Sequence, residues 1–517
     1  MTTVSAGSDA ELKISEDTFR KTAQKCGVQT IEPDDVKDYT LLLNAADISV
    51  RTVESMPDYI DQRLLPDLNA SGPRTYIKPD KKENPNKAWS YKAYTRLAGR
   101  TICVKDNIHV AGILITAGTA PKFLSSSEDY PISPIDATVV TRVLESGAVL
   151  KGTATCENLS LFALSYTSHL GVIENPWLPG TVGGGSSSGC AALLALSEVN
   201  ERRRKWGEPE LMGFGEGCDL AIGGDQGGSI RLPAAYAGIY GLKPTHGLVP
   251  YTGIIPLFPM IDHCGPMART LRDTALLFSV IAGYDGLDQR MTPESPLRPH
   301  VKDYTTILDA WKASRISQGL WSPTTAATGL RIGLIKEAWE IASLDPEIDQ
   351  LVRDAAHRFT TLGGTVEQVS IPLHAQDPNI WTAATRRVLG DYGVQSQTSD
   401  LLSFPLPHVN LPPPTQEFFD YMTAHNPAVT NVLFNSTYLK DAYTSAQSAK
   451  AHRLVHQLRA AYDAALDRFD VLITPANSFV GVTAPKSGEG SGVMDKVRSS
   501  IGSTSNTCPF NVTGTRR

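Results

Sequence analysis

The chain has 517 residues, of which 41% are hydrophobic and 20% are charged, and its formal net charge is −6. These values are typical of a globular protein with a sizeable core, and the length allows either several domains or one large α/β domain with an accessory segment. The single concentrated run of basic residues, at 202–205, is typical of a solvated loop or helix end. We therefore expect no nucleic-acid partner.

The N-terminus, the apolar runs and the cysteines indicate in which cellular compartment the protein resides. The N-terminus has no basic start followed by an apolar core, so it does not predict a secretory signal. The longest apolar run, at 275–282, is too short to span a bilayer. Seven cysteines without C-x-x-C spacing indicate free thiols in a reducing compartment. We expect a cytoplasmic protein that has no membrane partner.

The N-terminal part is polar and has helical spacing. Breakers at Gly27 and Pro33 separate two predicted helices. The Pro-rich stretch at 71–89 then predicts a linker that runs over the surface. We therefore assign residues 1–90 to a helical segment with its linker and residues 91–517 to the main domain.

From about Leu97 onward, short apolar runs alternate with helical stretches. The alternation predicts an α/β fold in which a central mixed, mostly parallel β-sheet is covered by helices on both faces. Residues 401–414 are rich in proline and predict a surface loop. The predicted strands are RTICVKD, AVLKGT, DLAIGGD, RIGLIKE, TVEQVSIP and DVLITPA.

Lys105 ends the first of these strands. Most lysines are exposed, so the residue type alone says little. Its position is more informative, because α/β folds build their sites at the carboxyl ends of parallel strands. Burial there would favour the neutral amine, which can act as a base near neutral pH.

The Gly/Ser loop GGGSSSG at 183–189 precedes an apolar helix. It lacks the Gly-Lys-Ser/Thr ending of a phosphate-binding loop. Its G-x-S-x-G pattern would make Ser187 a hydrolase nucleophile, but no strand precedes it, so we discount that interpretation. Ser188 alone would serve as a helix N-cap. Three consecutive serines exceed what capping needs.

The stretch GGDQGGSIRLPAAYAGIYGLKP at 223–244 places two glycines directly before Ser229. Glycines let the backbone turn tightly and leave its amide groups uncovered. Such amides can hold the negative charge that develops beside a serine nucleophile. A tight turn without chemistry would look the same locally.

These stretches, together with VKDN, DATVV, ENPW and DHCGPMAR, resemble the amidase signature family of serine amide hydrolases over about 100–288. Within the family the sequence is most similar to the aliphatic and aryl-amide amidases of nitrile-degrading bacteria. The resemblance implies the amidase signature fold and hydrolysis of a small-molecule carboxamide to acid and ammonia or amine, through a serine acyl-enzyme. No metal or cofactor is expected, since no cluster of His, Cys and Asp has ligand spacing. The resemblance allows a homodimer formed through the N-terminal helices.

Residue by residue, the resemblance makes Ser229 the nucleophile, Ser186 a bridging serine in a cis peptide, and Lys105 the base. A neutral lysine can take a proton from the bridging serine, which takes one from the nucleophile, so histidine is unnecessary. The resemblance also implies an oxyanion hole made by the backbone amides of Gln226, Gly227, Gly228 and Ser229. We expect Asp225 and Arg231 to brace this turn.

Two departures from the family pattern concern the stretch at 200–217 and the C-terminus. The stretch is longer than usual, and we expect a surface loop that borders the substrate entrance. The chain stops at GTRR, before the strands and helix that close the family's sheet, so we expect a truncated domain with an unpaired sheet edge. The alternatives are a catalytically impaired amidase-like protein and the glutaminase subunit of a tRNA-dependent amidotransferase.

Overall fold

A computed structural model describes residues 11–514, apart from 26–27, 56, 58–59, 61, 69–73, 95–98, 126, 292–294, 341–343, 396–407, 410 and 486–491. Most of the predicted loop at 401–414 therefore lies outside the described residues. The chain divides into two compact units, Met1–Arg63 and Leu64–Arg517. The boundary falls earlier than the predicted one at residue 90, because the residues just after 74 already contribute strands to the larger unit.

The smaller unit contains helices α1 (Glu16–Lys25) and α2 (Pro33–Glu54), as the breakers predicted. The buried side chain of Asn44 joins α2 to the start of this unit. It accepts a hydrogen bond from the Ile14 amide at 2.9 Å and donates to the Ile14 carbonyl at 2.8 Å. Phe19 and Tyr39 stack with ring centroids 5.8 Å apart, so aromatic packing also joins the two helices.

The larger unit contains two sheets. A seven-stranded sheet has the order β1-β2-β4-β3-β5-β7-β6, and a three-stranded sheet has the order β10-β8-β9. The strands are β1 (Thr75–Ile77), β2 (Trp89–Tyr94), β3 (Thr101–Lys105), β4 (Val149–Ala154), β5 (Leu220–Asp225), β6 (Tyr240–Gly241), β7 (His263–Ala268), β8 (Arg331–Ile335), β9 (Thr365–Val369) and β10 (Val471–Ile473).

Twelve further helices, numbered in chain order, accompany these strands in the described part of the larger unit. They are α3 (Thr138–Glu145), α4 (Ser188–Lys205), α5 (Arg231–Ala237), α6 (Leu271–Ile281), α7 (Tyr304–Ser317), α8 (Pro346–Thr361), α9 (Pro372–Gln395), α10 (Gln416–His425), α11 (Pro427–Ala442), α12 (Ser445–Arg468), α13 (Val493–Val497) and α14 (Pro509–Val512). None of the described helices is both long enough and apolar enough to cross a membrane.

The predicted fold class is confirmed. Strand β3 pairs in parallel with β4 and β5 at the centre of the large sheet, and the small sheet is parallel throughout. Both edges of the large sheet are antiparallel. The stretch at 71–89 is not only a linker, because β1 and the first residue of β2 lie in it and pair in this sheet.

The central strand explains where Lys105 points. Ile102 and Val104 pack into a core cluster that includes residues of α3 and α6. Cys103 packs on the opposite face, into a cluster that includes residues of α4. Side chains alternate along a strand, so Lys105 follows Cys103 onto the α4 face.

Candidate active site

Lys105 is completely buried at the carboxyl end of β3. Its Nζ donates a hydrogen bond to Ser186 Oγ at 2.7 Å. Burial lowers the pKa of Lys105, although Cys156, Cys190, Asp225 and Glu157 act in the opposite direction. The site therefore favours the neutral amine more than water does.

The three serines of the loop before α4 have three different partners. Ser186 follows a cis peptide bond with Gly185 and accepts from Lys105. The Ser187 hydroxyl donates to the Gly224 carbonyl at 3.2 Å, so it is not an exposed nucleophile. The Ser188 hydroxyl donates to Glu157 at 2.7 Å, and neither Ser187 nor Ser188 caps α4 with its side chain.

Glu157 is a buried residue that sequence reasoning missed. Its carboxylate accepts from the Thr167 amide and hydroxyl, each at 2.7 Å, as well as from Ser188. Its own amide donates to the Ser186 carbonyl at 3.2 Å. Burial raises the pKa of Glu157 to about 7. Glu157 thus holds the serine loop through both its side chain and its backbone.

Asp225 and Arg231 brace the turn after β5, as predicted. The Asp225 carboxylate accepts from the Gly228 amide at 2.8 Å and the Ile230 amide at 3.0 Å. Arg231 donates to it from Nε at 3.0 Å and from Nη2 at 2.9 Å. Burial alone would raise the pKa of Asp225, but Arg231 and the hydrogen bonds hold that pKa well below its ordinary value.

The turn from Gln226 to Ser229 carries the four amides expected in the oxyanion hole. The Gly228 amide already donates to Asp225 and is therefore not free for a substrate. Within the described part of the chain, the amides of Gln226, Gly227 and Ser229 have no acceptor. Three of these four amides, rather than all four, are thus free to donate to a molecule beside the turn.

A segment near the C-terminus fixes the same turn and was also missed. The Thr507 hydroxyl donates to the Gly227 carbonyl at 2.6 Å. The Asn511 amide group donates to the Asp225 carbonyl at 3.0 Å, and its oxygen accepts from Arg231 at 2.7 Å. These contacts join residues about 280 positions apart in the sequence, so no local pattern predicts them.

Gly228 shows why this turn needs a glycine. Its φ is +139°, and a Cβ placed there would lie 2.4 Å from the Thr507 hydroxyl oxygen and 3.0 Å from the Leu232 side chain. A side chain would therefore meet both conformational strain and a collision. A Cβ placed at Gly227 would instead have open space around it, with the closest atom, in Trp381, 4.0 Å away.

A cavity of about 610 Å³ opens beside Ser229, Gln226 and Gly227. Ser229 itself is 9% exposed, and its carbonyl accepts from the Ser187 amide at 3.2 Å, so the two loops touch. The apolar part of the wall comes from several elements and includes Leu161, Phe162, Leu232, Leu257, Ile261, Trp381, Leu389 and Val432. A small organic substrate fits such a space.

The stretch at 200–217 does not border this cavity, so that expectation is wrong. Helix α4 continues through the stretch as far as Lys205 because pairs such as Arg202–Glu198 and Lys205–Glu201 support its last turns. The basic run at 202–205 is accordingly a helix end paired with carboxylates, in agreement with the prediction. Near the end of the stretch, the Glu216 carbonyl accepts from the Trp89 indole at 2.9 Å and so contacts the sheet.

Lys105 and Ser186 are thus hydrogen-bonded in a buried position, and the loop that carries Ser186 touches the turn that ends in Ser229. The amidase family profile matches residues 75–200 and 215–517. The gap between the two matches falls within the long stretch. The chain therefore belongs to the amidase family and is a hydrolase acting on amide C–N bonds.

Individual relatives agree with this assignment. An enantioselective amidase from Rhodococcus rhodochrous is 33% identical over 461 residues, which are 85% of this chain and 78% of the relative. A component of the glutamyl-tRNA(Gln) amidotransferase of a Synechococcus strain is 30% identical over 388 residues, covering 73% and 68%. The peptide amidase structure from Stenotrophomonas maltophilia superposes with a TM-score of 0.55 at 25% identity, covering 81% and 74%.

Proposed function

We propose that the protein hydrolyses a small-molecule carboxamide through an acyl-enzyme on Ser229, with Ser186 as proton bridge and Lys105 as base. The observation that carries this proposal is the 2.7 Å hydrogen bond between Lys105 Nζ and Ser186 Oγ in a fully buried position. Burial lowers the pKa of Lys105, which favours the neutral amine that must accept a proton in this mechanism.

In the acylation step, Ser229 Oγ attacks the amide carbonyl carbon. Its proton passes to Ser186, whose own proton passes to Lys105. The negative charge that forms on the carbonyl oxygen is held by the free amides of Gln226, Gly227 and Ser229. When the C–N bond breaks, the proton returns from the lysine through the bridging serine to the leaving nitrogen.

In the deacylation step, water takes the place of the leaving amine and attacks the acyl carbon. The same lysine and bridging serine accept the proton of the water. The acid leaves, and the proton returns to Ser229. The lysine is therefore neutral at the start of each half-reaction, so acidic solution should slow both halves.

The test is acid and ammonia release from a panel of primary amides, aryl amides and glutamine by the wild type and Ser229→Ala. We expect turnover that the substitution abolishes. Turnover that persists in the variant would refute the assignment of Ser229. Glutamine cleavage only in the presence of partner subunits would support the second candidate, a glutaminase subunit, which the amidotransferase relatives favour. A folded wild type that cleaves no amide would support the impaired homologue instead.

We also propose that the protein is cytoplasmic, because all six cysteines that the structure describes are unpaired. The homodimer stays a prediction. Cell fractionation tests the first statement, and light scattering at micromolar concentration tests the second. A monomer mass would contradict the dimer.

A further inference from the structure

The cavity beside Ser229 has a single charged side chain among the described residues of its wall. This lining contains no aspartate, glutamate or lysine, and one arginine, Arg386. Polar contributions otherwise come from the Gln226 side chain, from Asn431 and from hydroxyl-bearing residues such as Ser160 and Thr504. The described wall therefore presents one fixed positive charge in otherwise uncharged surroundings.

Arg386 lies on α9 and is close to the turn that carries the nucleophile. Its guanidinium carbon lies 5.1 Å from the centroid of the Trp381 ring, so the two groups form a cation–π pair. The same indole is the nearest group to Gly227, at 4.0 Å from a Cβ placed there. Trp381 thus pairs with the guanidinium and lies near the turn that carries Gly227.

Arg387, the next residue on α9, differs from Arg386 in its hydrogen-bond partners. Arg387 donates to the backbone carbonyls of Leu439 and Tyr443 and does not line the cavity. Within the described residues, Arg386 has neither a hydrogen-bond acceptor nor a carboxylate partner. Because Arg386 also lines the cavity, its guanidinium N–H groups can donate to a molecule bound there.

Leaving such a group unpaired is unfavourable, because a half-buried charge loses part of its hydration without gaining a partner. Burial lowers the pKa of Arg386 to about 10, so the side chain remains positive at neutral pH. A planar guanidinium of this kind matches a carboxylate with two parallel hydrogen bonds. The apolar wall around it suits a hydrocarbon segment between the two ends of a substrate.

We infer that the substrate is a carboxamide that also carries a carboxylate, and that Arg386 binds this carboxylate while the amide carbonyl faces Ser229. The inference rests on the proposed function and specifies its substrate class. Arg386 is then a specificity-determining residue that acts mainly on substrate binding. Neutral amides of the same length leave the guanidinium unpaired and bind more weakly.

The experiment compares two substrate series with the purified full-length protein. One series consists of mono-amides of linear dicarboxylic acids, and the other of straight-chain alkanamides with the same number of carbons. Ammonia release gives kcat and KM for each compound. We expect kcat/KM to be roughly 10- to 100-fold higher for the best anionic amide than for its neutral counterpart, mainly through KM.

Variants at position 386 supply the decisive comparison. Arg386→Met should remove the preference by raising KM for the anionic amides, while Arg386→Lys should retain part of it. Arg387→Met is the matched control and should keep the full preference. Thermal unfolding of every variant identifies a folding defect, and the lysine variant keeps the test decisive if the methionine variant fails to fold.

Three outcomes would each overturn either the inference or the proposed function. If neutral amides are cleaved as well as anionic ones and the substitutions at Arg386 change nothing, the inference is overturned while the proposed function stands. If no amide of either series, nor glutamine, is cleaved by the folded wild type, the proposed function itself fails. An anionic preference that survives both substitutions at Arg386 also overturns the inference, since another group must then bind the carboxylate.

Discussion

Replacing Asp225 by asparagine should destabilise the protein and slow amide hydrolysis, because hydrogen bonds to this carboxylate hold the glycine turn in place. It accepts hydrogen bonds from Gly228, Ile230, Arg231 and Asn511, and five of these contacts are 3.0 Å or shorter. An asparagine keeps one acceptor oxygen and directs an NH₂ group at donors. The substitution also leaves the charge of the partly buried Arg231 unpaired.

The expected cost in the free energy of unfolding is about 3–5 kcal/mol, the usual range when one member of a buried ion pair is removed. This is a large share of the roughly 5–15 kcal/mol that keeps a domain folded. The matched control is Asp309→Asn, which breaks an exposed pair with Arg272. That substitution should cost less than about 1 kcal/mol.

The pH dependence has a definite sign. The folded pKa of Asp225 is depressed, so its stabilising contribution is present above the unfolded value of about 3.9 and is lost as the pH falls through the folded value. Urea denaturation at several pH values should therefore show the cost of Asp225→Asn shrinking in acid. A cost below about 1 kcal/mol at neutral pH, or one that grows in acid, would refute the reasoning.

Further predictions concern the same loops. Gly228→Ala should lower both the melting temperature and kcat because its Cβ would lie 2.4 Å from Thr507 Oγ1, whereas Gly227→Ala should fold normally; equal melting temperatures would contradict this. Thr507→Val, which removes the hydrogen bond to Gly227, should reduce kcat without a large change in KM, and an unchanged kcat would contradict that role. Because burial raises the pKa of Glu157 from 4.5 to about 7, its stabilising contribution is lost as the pH rises through that range. In thermal melts of both proteins, the melting temperature of Glu157→Gln should rise relative to that of the wild type from about pH 5 to about pH 8. A difference that does not change with pH would contradict this prediction.

The local sequence marks Lys105 and Ser229 as candidates, and their roles come from the resemblance to the amidase signature family. Lys105 ends a short β-branched and apolar run, and Ser229 follows two glycines that no ordinary strand or helix would place there. Each signal lies within a few residues and depends on conformational rules that hold in any fold. Strand–helix alternation likewise predicts the central parallel strands, because a parallel pair needs a long crossover connection.

The parts that were missed depend on contacts between distant residues. Thr507 and Asn511 reach the turn after β5 across about 280 residues, and no local pattern shows which surface a polar side chain will face. The sequence around Glu157 does not distinguish it from other acidic loop residues, and only the fold brings Thr167 and Ser188 into hydrogen-bonding distance of it. The short edge strand β1 lies in a polar, Pro-rich stretch, where its residues alone do not distinguish a strand from a linker.

The most direct test of the lysine relay is the rate at which a fluorophosphonate labels the protein as a function of pH. We expect one adduct, on Ser229 by peptide mass spectrometry, and a rate that rises with a single ionisation whose pKa lies below that of an ordinary lysine. Lys105→Met should slow labelling by at least about 100-fold and remove this ionisation. Lys151→Met, which changes a lysine paired with Glu216 away from the cavity, should not. The mechanism would be contradicted if Lys105→Met were labelled as fast as the wild type, or if the adduct formed on another residue.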